Sequence, residues 1–180
     1  PPRSTPKPSS AASDVYKRQV QLGPMTTKKR LNEIEDLVEK TKKEGAKVLL
    51  GGKKPSGFNK GFYYEPTIFD DVKDDFTIMK EEPFGPLCPM LSFKTFDEVI
   101  KRANNHELGL ASYICTNSME LATKASEQIE TGAVAVNTPL VAQAEAPFGG
   151  IKQTGDGREG GSMAIKDYLN IKYTHLGIKG

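Results

Sequence analysis

The sequence predicts an α/β fold, a mostly parallel sheet flanked by helices with a C-terminal strand added to it. Three observations carry that expectation. One segment repeats apolar residues at helical spacing, two later segments open with helix-capping residues, and between Gly85 and Asn137 strand and helix patterns alternate twice across short connections. Parallel strands joined by right-handed helical crossovers are the usual outcome of such alternation.

From Met25 onward, Leu31, Ile34, Leu37, Val38 and Thr41 recur among lysines and glutamates, which predicts an amphipathic helix with Gly45 as its stop. AKVLL and a Gly51-Gly52 turn follow. FYYEPTIF then favours a strand through its aromatic and β-branched content, despite Pro66. After Gly85-Pro86, PMLSF reads as a buried strand. Thr95-Phe-Asp-Glu98 is a capping box that opens a helix through Val99 and Ile100 to Ala103, with Gly109 as terminator. ASYICT is the next strand. Asn117-Ser-Met-Glu120 starts a second capped helix through Leu121, Ala125 and Ile129, stopped at Gly132, and AVAVN is a further strand. The segment GGSMAIKDYLNIKYTHLG reads as a short helix and a strand, IKYTH, which either joins the edge of another sheet or pairs within its own domain.

The bulk properties narrow the function classes. The 180 residues suit one substantial core, and 25 basic against 23 acidic side chains argue against a nucleic-acid or membrane surface. No run is long enough to span a bilayer and no signal peptide is evident, which points to the cytoplasm. Residues 1–19, rich in proline and serine with little to bury, read as a disordered tail foreign to the fold. Cys88 and Cys115 form no C-x-x-C pair, and Cys115 reads as a small buried side chain. With His106 and His175 lacking ligand spacing, no metal site is expected.

Gly155-Asp-Gly157-Arg-Glu-Gly160 matches the G-x-G-x-x-G spacing of dinucleotide-binding turns. That turn needs a strand before it and a second strand with an acid about 20 residues on. Here Pro147, Gly149 and Gly150 precede it and the chain ends at Gly180, so the glycines read as a structural turn. The GGKK at Gly51 likewise lacks the spacing of a phosphate loop.

Four pieces in order, Gly45-Ala-Lys with Gly51-Gly52, FYYEPTIF, KEEPFGP and APFGGIKQTGDGREGG, closely resemble the C-terminal part of the aldehyde dehydrogenase superfamily, from about Gly23 to Gly180. E-E-x-F-G-P and P-F-G-G-x-K-x-S/T-G-x-G-R-E are the specific signatures. EAPFGGIKQTGDGREGG and YLNIKY look most like the succinate-semialdehyde dehydrogenase branch.

The resemblance implies a partial catalytic domain over 20–165 and a terminal oligomerisation strand over 166–180 that joins a partner subunit. It implies NAD or NADP as cofactor and an aldehyde as substrate, succinate semialdehyde or a similar short semialdehyde. In the family a cysteine thiolate attacks the aldehyde, hydride passes to the nicotinamide, and water activated by a glutamate hydrolyses the thioester. The nucleophile's G-Q-x-C setting is absent from this sequence, so both catalytic groups are expected upstream, and the chain alone is expected to be inactive.

Residue by residue, Glu82 matches the acid that accepts the nicotinamide ribose hydroxyls, and Phe84 an aromatic beside the nicotinamide. Phe148 matches a pocket-lining ring. Ala142 stands where succinate-semialdehyde members often carry a serine for the distal carboxylate, which keeps a different short aldehyde in contention. Gly149, Gly150, Gly155 and Gly157 serve backbone geometry and close packing. By composition alone, Glu82 reads as a solvated acid and the two phenylalanines as core rings. The competing class is a noncatalytic interaction module that uses its terminal strand to bind a partner.

Overall fold

The computed structural model describes residues 22–58 and 60–178, so the tail expected over 1–19 lies outside the described residues. The chain divides into two compact units between Ser92 and Phe93.

In the first unit, α1 (Lys28–Lys43) begins at Thr27, whose hydroxyl accepts from the Arg30 N–H at 3.1 Å. All five residues of the sequence repeat are buried on one face. The helix ends as its glycine requires. Gly45 has φ +109°, its N–H donates to Lys42 O, and the Ala46 N–H donates to Thr41 O, the paired bonds of a Schellman stop. β1 (Lys47–Leu50) pairs antiparallel with β2 (Thr67–Asp70), and β2 pairs parallel with β3 (Leu87–Pro89), giving the order β1-β2-β3. Between β2 and β3 lies a single helical turn, α2 (Thr77–Lys80).

The helix face Leu31, Ile34, Leu37 and Val38 packs against Tyr64, Phe69, Val72, Phe76 and Ile78. Full burial of such side chains stabilises by about 1.5–3 kcal/mol each. Burial also pushes the Tyr64 hydroxyl up to about 12, with Glu35 and Glu39 adding to the shift. A tyrosine raised from its usual 10.0 ionises first in the unfolded chain, so its stabilising share is complete below that pH and disappears as pH rises to about 12. Tyr64→Phe is expected to remove that part of the alkaline unfolding curve, measured by circular dichroism.

In the second unit, α3 (Phe96–Asn104) opens at the expected capping box, where the Thr95 hydroxyl accepts from the Glu98 N–H at 3.2 Å. Glu98 reaches one residue further back than the motif suggests and accepts from the Lys94 N–H at 2.9 Å, a bond that holds its carboxyl below the usual range. β4 (Leu108–Gly109) leads to β5 (Ala111–Ile114), and α4 (Met119–Gln128) is capped by Ser118. β6 (Ala133–Val136) pairs parallel with β5, and β7 (Ile151–Lys152) pairs antiparallel with β4. Beyond β5 and β6 the Asn137 amide completes the pairing, accepting from the Thr116 N–H at 3.0 Å and donating to Thr116 O at 2.8 Å.

The α/β class holds, with two parallel and two antiparallel strand pairs among the described residues. Several boundaries move. The strand expected at PMLSF lies earlier, because β3 takes up pairing with Thr67 directly after Pro86. FYYEPTIF is a strand only after Pro66, which has no N–H to offer a ladder. Gly109 does not terminate α3. Asn105 caps that helix, and Gly109 belongs to β4, where a Cβ would lie 2.8 Å from Glu130 O. Cys115 is exposed rather than buried, because β5 has already ended at Ile114.

The short helix expected in GGSMAIKDYLN is a 3-10 turn over Ala164–Tyr168. The strand expected at IKYTH does not form: residues 171–175 have no regular structure and pair with none of the described residues, and Ile171 and Tyr173 are exposed. No described helix is long and apolar enough to cross a membrane.

Candidate functional site

Glu82 and Phe84 sit on the segment that links α2 to β3, and three devices hold it. At its start, the Glu44 carboxylate, at the end of α1, accepts from the Thr77 N–H at 3.1 and 3.0 Å and from the Thr77 hydroxyl at 2.5 Å, capping the one-turn α2 from outside. Within it, the Gly85 N–H donates to Pro83 O at 2.7 Å, and the Leu87 N–H donates to Gly85 O at 2.9 Å. At its end, the Thr67 N–H donates to Pro86 O at 2.8 Å, fixing the entry into β3. Gly85 rests directly on Ile34 of α1, where a Cβ would come within 2.5 Å of Ile34 Cδ1.

On this braced segment Glu82 is exposed and makes no hydrogen bond or ion pair with the described residues. Phe84 is 66% exposed, which overturns its reading as a core ring. The Arg30 guanidinium lies 5.7 Å from its ring centroid and is held by Glu33 Oε2 at 2.9 Å. An unpaired carboxylate two residues from an open aromatic ring can accept from a diol and stack on a flat ring. The same loop gives sequence reasoning no hint of Arg30, because a lone Arg on a charged helix face looks like any solvated cation.

Phe148 and Ala142 belong to the second unit. Phe148 is half-buried and exchanges two backbone hydrogen bonds of 2.7 Å with Glu159, closing the loop 149–158. Ala142 is exposed on the irregular stretch that precedes it. Inside the closed loop, Arg158 Nη1 donates to Gly150 O at 2.8 Å, Gly157 O at 2.9 Å and Asp156 O at 3.0 Å. The turn thus aims carbonyl oxygens inward at a cation, whereas a phosphate site must aim N–H groups. The structural reading of these glycines follows from that polarity.

Close packing accounts for Gly149, where a Cβ would overlap Gly157 O, and for Gly150, where it would overlap the Thr154 side chain. Gly155 has φ +103°, but Gly157 shows neither crowding nor a left-handed backbone.

A second cation clamps the same segment. Lys152, itself at φ +57°, donates to Asn104 O at 2.9 Å and His106 O at 3.1 Å and meets Glu130 Oε2 at 2.6 Å. Asn104 in turn accepts from the Glu130 N–H and donates to Gln128 O, so the ends of α3 and α4 and strand β7 are tied together. The helical repeat alone carries no sign of this network, whose bonded partners lie up to 48 residues apart. The thiols of Cys88 and Cys115 make no hydrogen bond with the described residues, and both cysteines are exposed.

The family model described as the aldehyde dehydrogenase family matches residues 9–174. The chain belongs to the aldehyde dehydrogenase family.

Aldehyde dehydrogenase 1A1 of Bos taurus is 46% identical over 153 residues, covering 85% of this chain and 30% of that protein. The mitochondrial succinate-semialdehyde dehydrogenase of Arabidopsis thaliana is 41% identical over 165 residues, covering 91% of this chain and 31% of its own length. Among solved structures, the NAD+ complex of a Bacillus cereus aldehyde dehydrogenase superposes with a TM-score of 0.84 at 41% identity, covering 89% of this chain and 32% of that one. This aldehyde dehydrogenase chain thus spans about a third of the length of the relatives it matches. Similarity of this kind is shared among several aldehyde dehydrogenases and does not single out one branch.

Proposed function

We propose that this chain is part of an NAD- or NADP-dependent aldehyde dehydrogenase that oxidises an aldehyde to the carboxylate, with the nucleophilic cysteine and the general-base glutamate supplied by residues outside this sequence. The observation that carries the reading is the Glu82–Phe84 surface, a free carboxylate and an open ring presented by a loop braced at both ends and at Gly85. Those groups fit a nicotinamide riboside, the carboxylate accepting from the ribose hydroxyls and the ring offering a stacking face. The cofactor would supply a hydride acceptor; the chain's own task is to orient it. Phe148 and Ala142 would line the aldehyde's pocket, with backbone positions set by the Arg158 and Lys152 clamps.

Glu82→Gln in the complete enzyme keeps the size and one acceptor but removes the charge. Charge-assisted hydrogen bonds contribute about 1.5–3 kcal/mol, so the Kd for the cofactor is expected to rise about tenfold or more. An unchanged Kd, read by titration calorimetry, would sink the assignment of this loop to the cofactor.

For the substrate we propose succinate semialdehyde or a similar short semialdehyde. The support is the likeness of EAPFGGIKQTGDGREGG and YLNIKY to that branch, together with the Arabidopsis thaliana relative. A kcat/KM comparison with an uncarboxylated aldehyde of equal length decides it, since equal values remove the semialdehyde. The apolar, exposed segment Leu169–Ile178 favours assembly with a second copy through that segment. The same feature supports the rival reading, a noncatalytic oligomerisation module, which predicts that Glu82→Gln changes nothing.

A further inference from the structure

The contact between Arg30 and Phe84 has a sign that plain packing would lack. Arg30 stands in the first turn of α1, anchored by Glu33, which also meets Lys29 at 3.8 Å. Its guanidinium covers one side of the Phe84 ring at 5.7 Å, while the ring remains 66% exposed.

We propose that Arg30 is a positioning residue of the cofactor surface which, by backing Phe84 with positive charge, makes the ring's open side favour a neutral, reduced nicotinamide over a cationic, oxidised one. The inference rests on the reading of Phe84 as the aromatic beside the nicotinamide.

The physics is that of a shared π-system. An aromatic ring attracts cations through the negative potential of its two faces. A guanidinium over one face draws on that potential and adds its own repulsion to any second cation brought to the opposite face. The oxidised nicotinamide carries a formal positive charge and meets both effects. The reduced ring is neutral and meets only the stacking surface. Glu33 fixes the guanidinium in place, but both side chains are about two-fifths exposed, so solvent screens the pair and the cation keeps much of its influence on the ring it touches.

The test is a pair of equilibrium dissociation constants, for oxidised and for reduced cofactor, measured by titration on the complete enzyme and on its Arg30→Met and Arg30→Lys variants. Arg30 is a surface residue, so neither change threatens the core. Cation–π contacts at exposed sites are worth about 0.5–1 kcal/mol, so Arg30→Met is expected to lower the ratio Kd(oxidised)/Kd(reduced) about two- to fivefold. Arg30→Lys, which keeps the charge, is expected to hold the ratio near that of the parent. If Arg30→Met leaves the ratio unchanged, including by moving both constants together, the proposal is overturned and Arg30 merely packs. Phe84→Leu separates the two levels of argument. If it alters neither constant, the cofactor reading of the loop fails whatever Arg30 does.

Discussion

Gly132→Ala is expected to lower the stability of the second unit by about 3 kcal/mol, the largest effect of any single methyl group added to this unit. A Cβ at this position would overlap Gly149 O and would lie 2.8 Å from the Gly149 carbonyl carbon and 2.9 Å from Gly150 Cα. All three are backbone atoms, so no rotamer change can clear the space. The Gly132 N–H donates to Gly109 O at 3.0 Å, and the Gly109 N–H donates to the Thr154 hydroxyl at 2.9 Å. Displacing Gly132 therefore disturbs β4 and the 149–158 loop together, and with them the backbone that carries Phe148.

Gly155→Ala is the control. Nothing lies within 4 Å of its added methyl, and its φ of +103° leaves backbone strain of about 1 kcal/mol as the only cost. Thermal melts of the two variants should differ by several degrees, with Gly132→Ala the lower; equal melting temperatures would contradict the close approach at Gly132.

Ile34 and Gly85 form the second case, because one side chain serves both the core and the loop that bears Glu82 and Phe84. Ile34→Ala removes a residue that is 1% exposed, and such truncations cost about 2–5 kcal/mol. Gly85→Ala pushes a methyl to within 2.5 Å of Ile34 Cδ1 and 2.8 Å of its Cγ1, an overpacking expected to cost about 1–3 kcal/mol. Ile34 is enclosed and cannot swing away, so the clash is relieved by moving the loop that bears Glu82 and Phe84.

The double variant places the new methyl in the space the isoleucine vacated. It should be more stable than the sum of the two single changes predicts, by about 1 kcal/mol or more. A denaturant cycle on the four proteins measures this. Strict additivity would mean that Gly85 does not rest on Ile34.

How far the residues alone reach can be seen element by element. The α1 repeat was fully legible, since all five of its members are buried, because a helix converts spacing along the chain directly into a face. The caps at Thr27, Thr95 and Ser118 are also local, each bonding to an N–H three residues on. Strand limits were less legible. A strand exists only where a partner supplies its ladder, so PMLSF lost its place to Leu87–Pro89 once β2 chose its register. IKYTH has the alternation of a strand but finds no partner among the described residues.

The candidate site divides in the same way. KEEPFGP and APFGGIKQTGDGREGG mark Glu82, Phe84 and Phe148 as candidates through their likeness to the family signatures, and the glycine spacing by itself reads as a turn. What those letters left open was the polarity and support of the two segments. Arg158 fills the glycine loop with its own guanidinium from within the same stretch, whereas Lys152 gathering the ends of α3, α4 and β7, Glu44 capping α2 and Arg30 backing Phe84 all join residues far apart in the chain. Local patterns encode which face an element buries and where it starts. Contacts across tens of residues depend on how the elements pack, and packing alone brought these cations and carboxylates to the groups they hold.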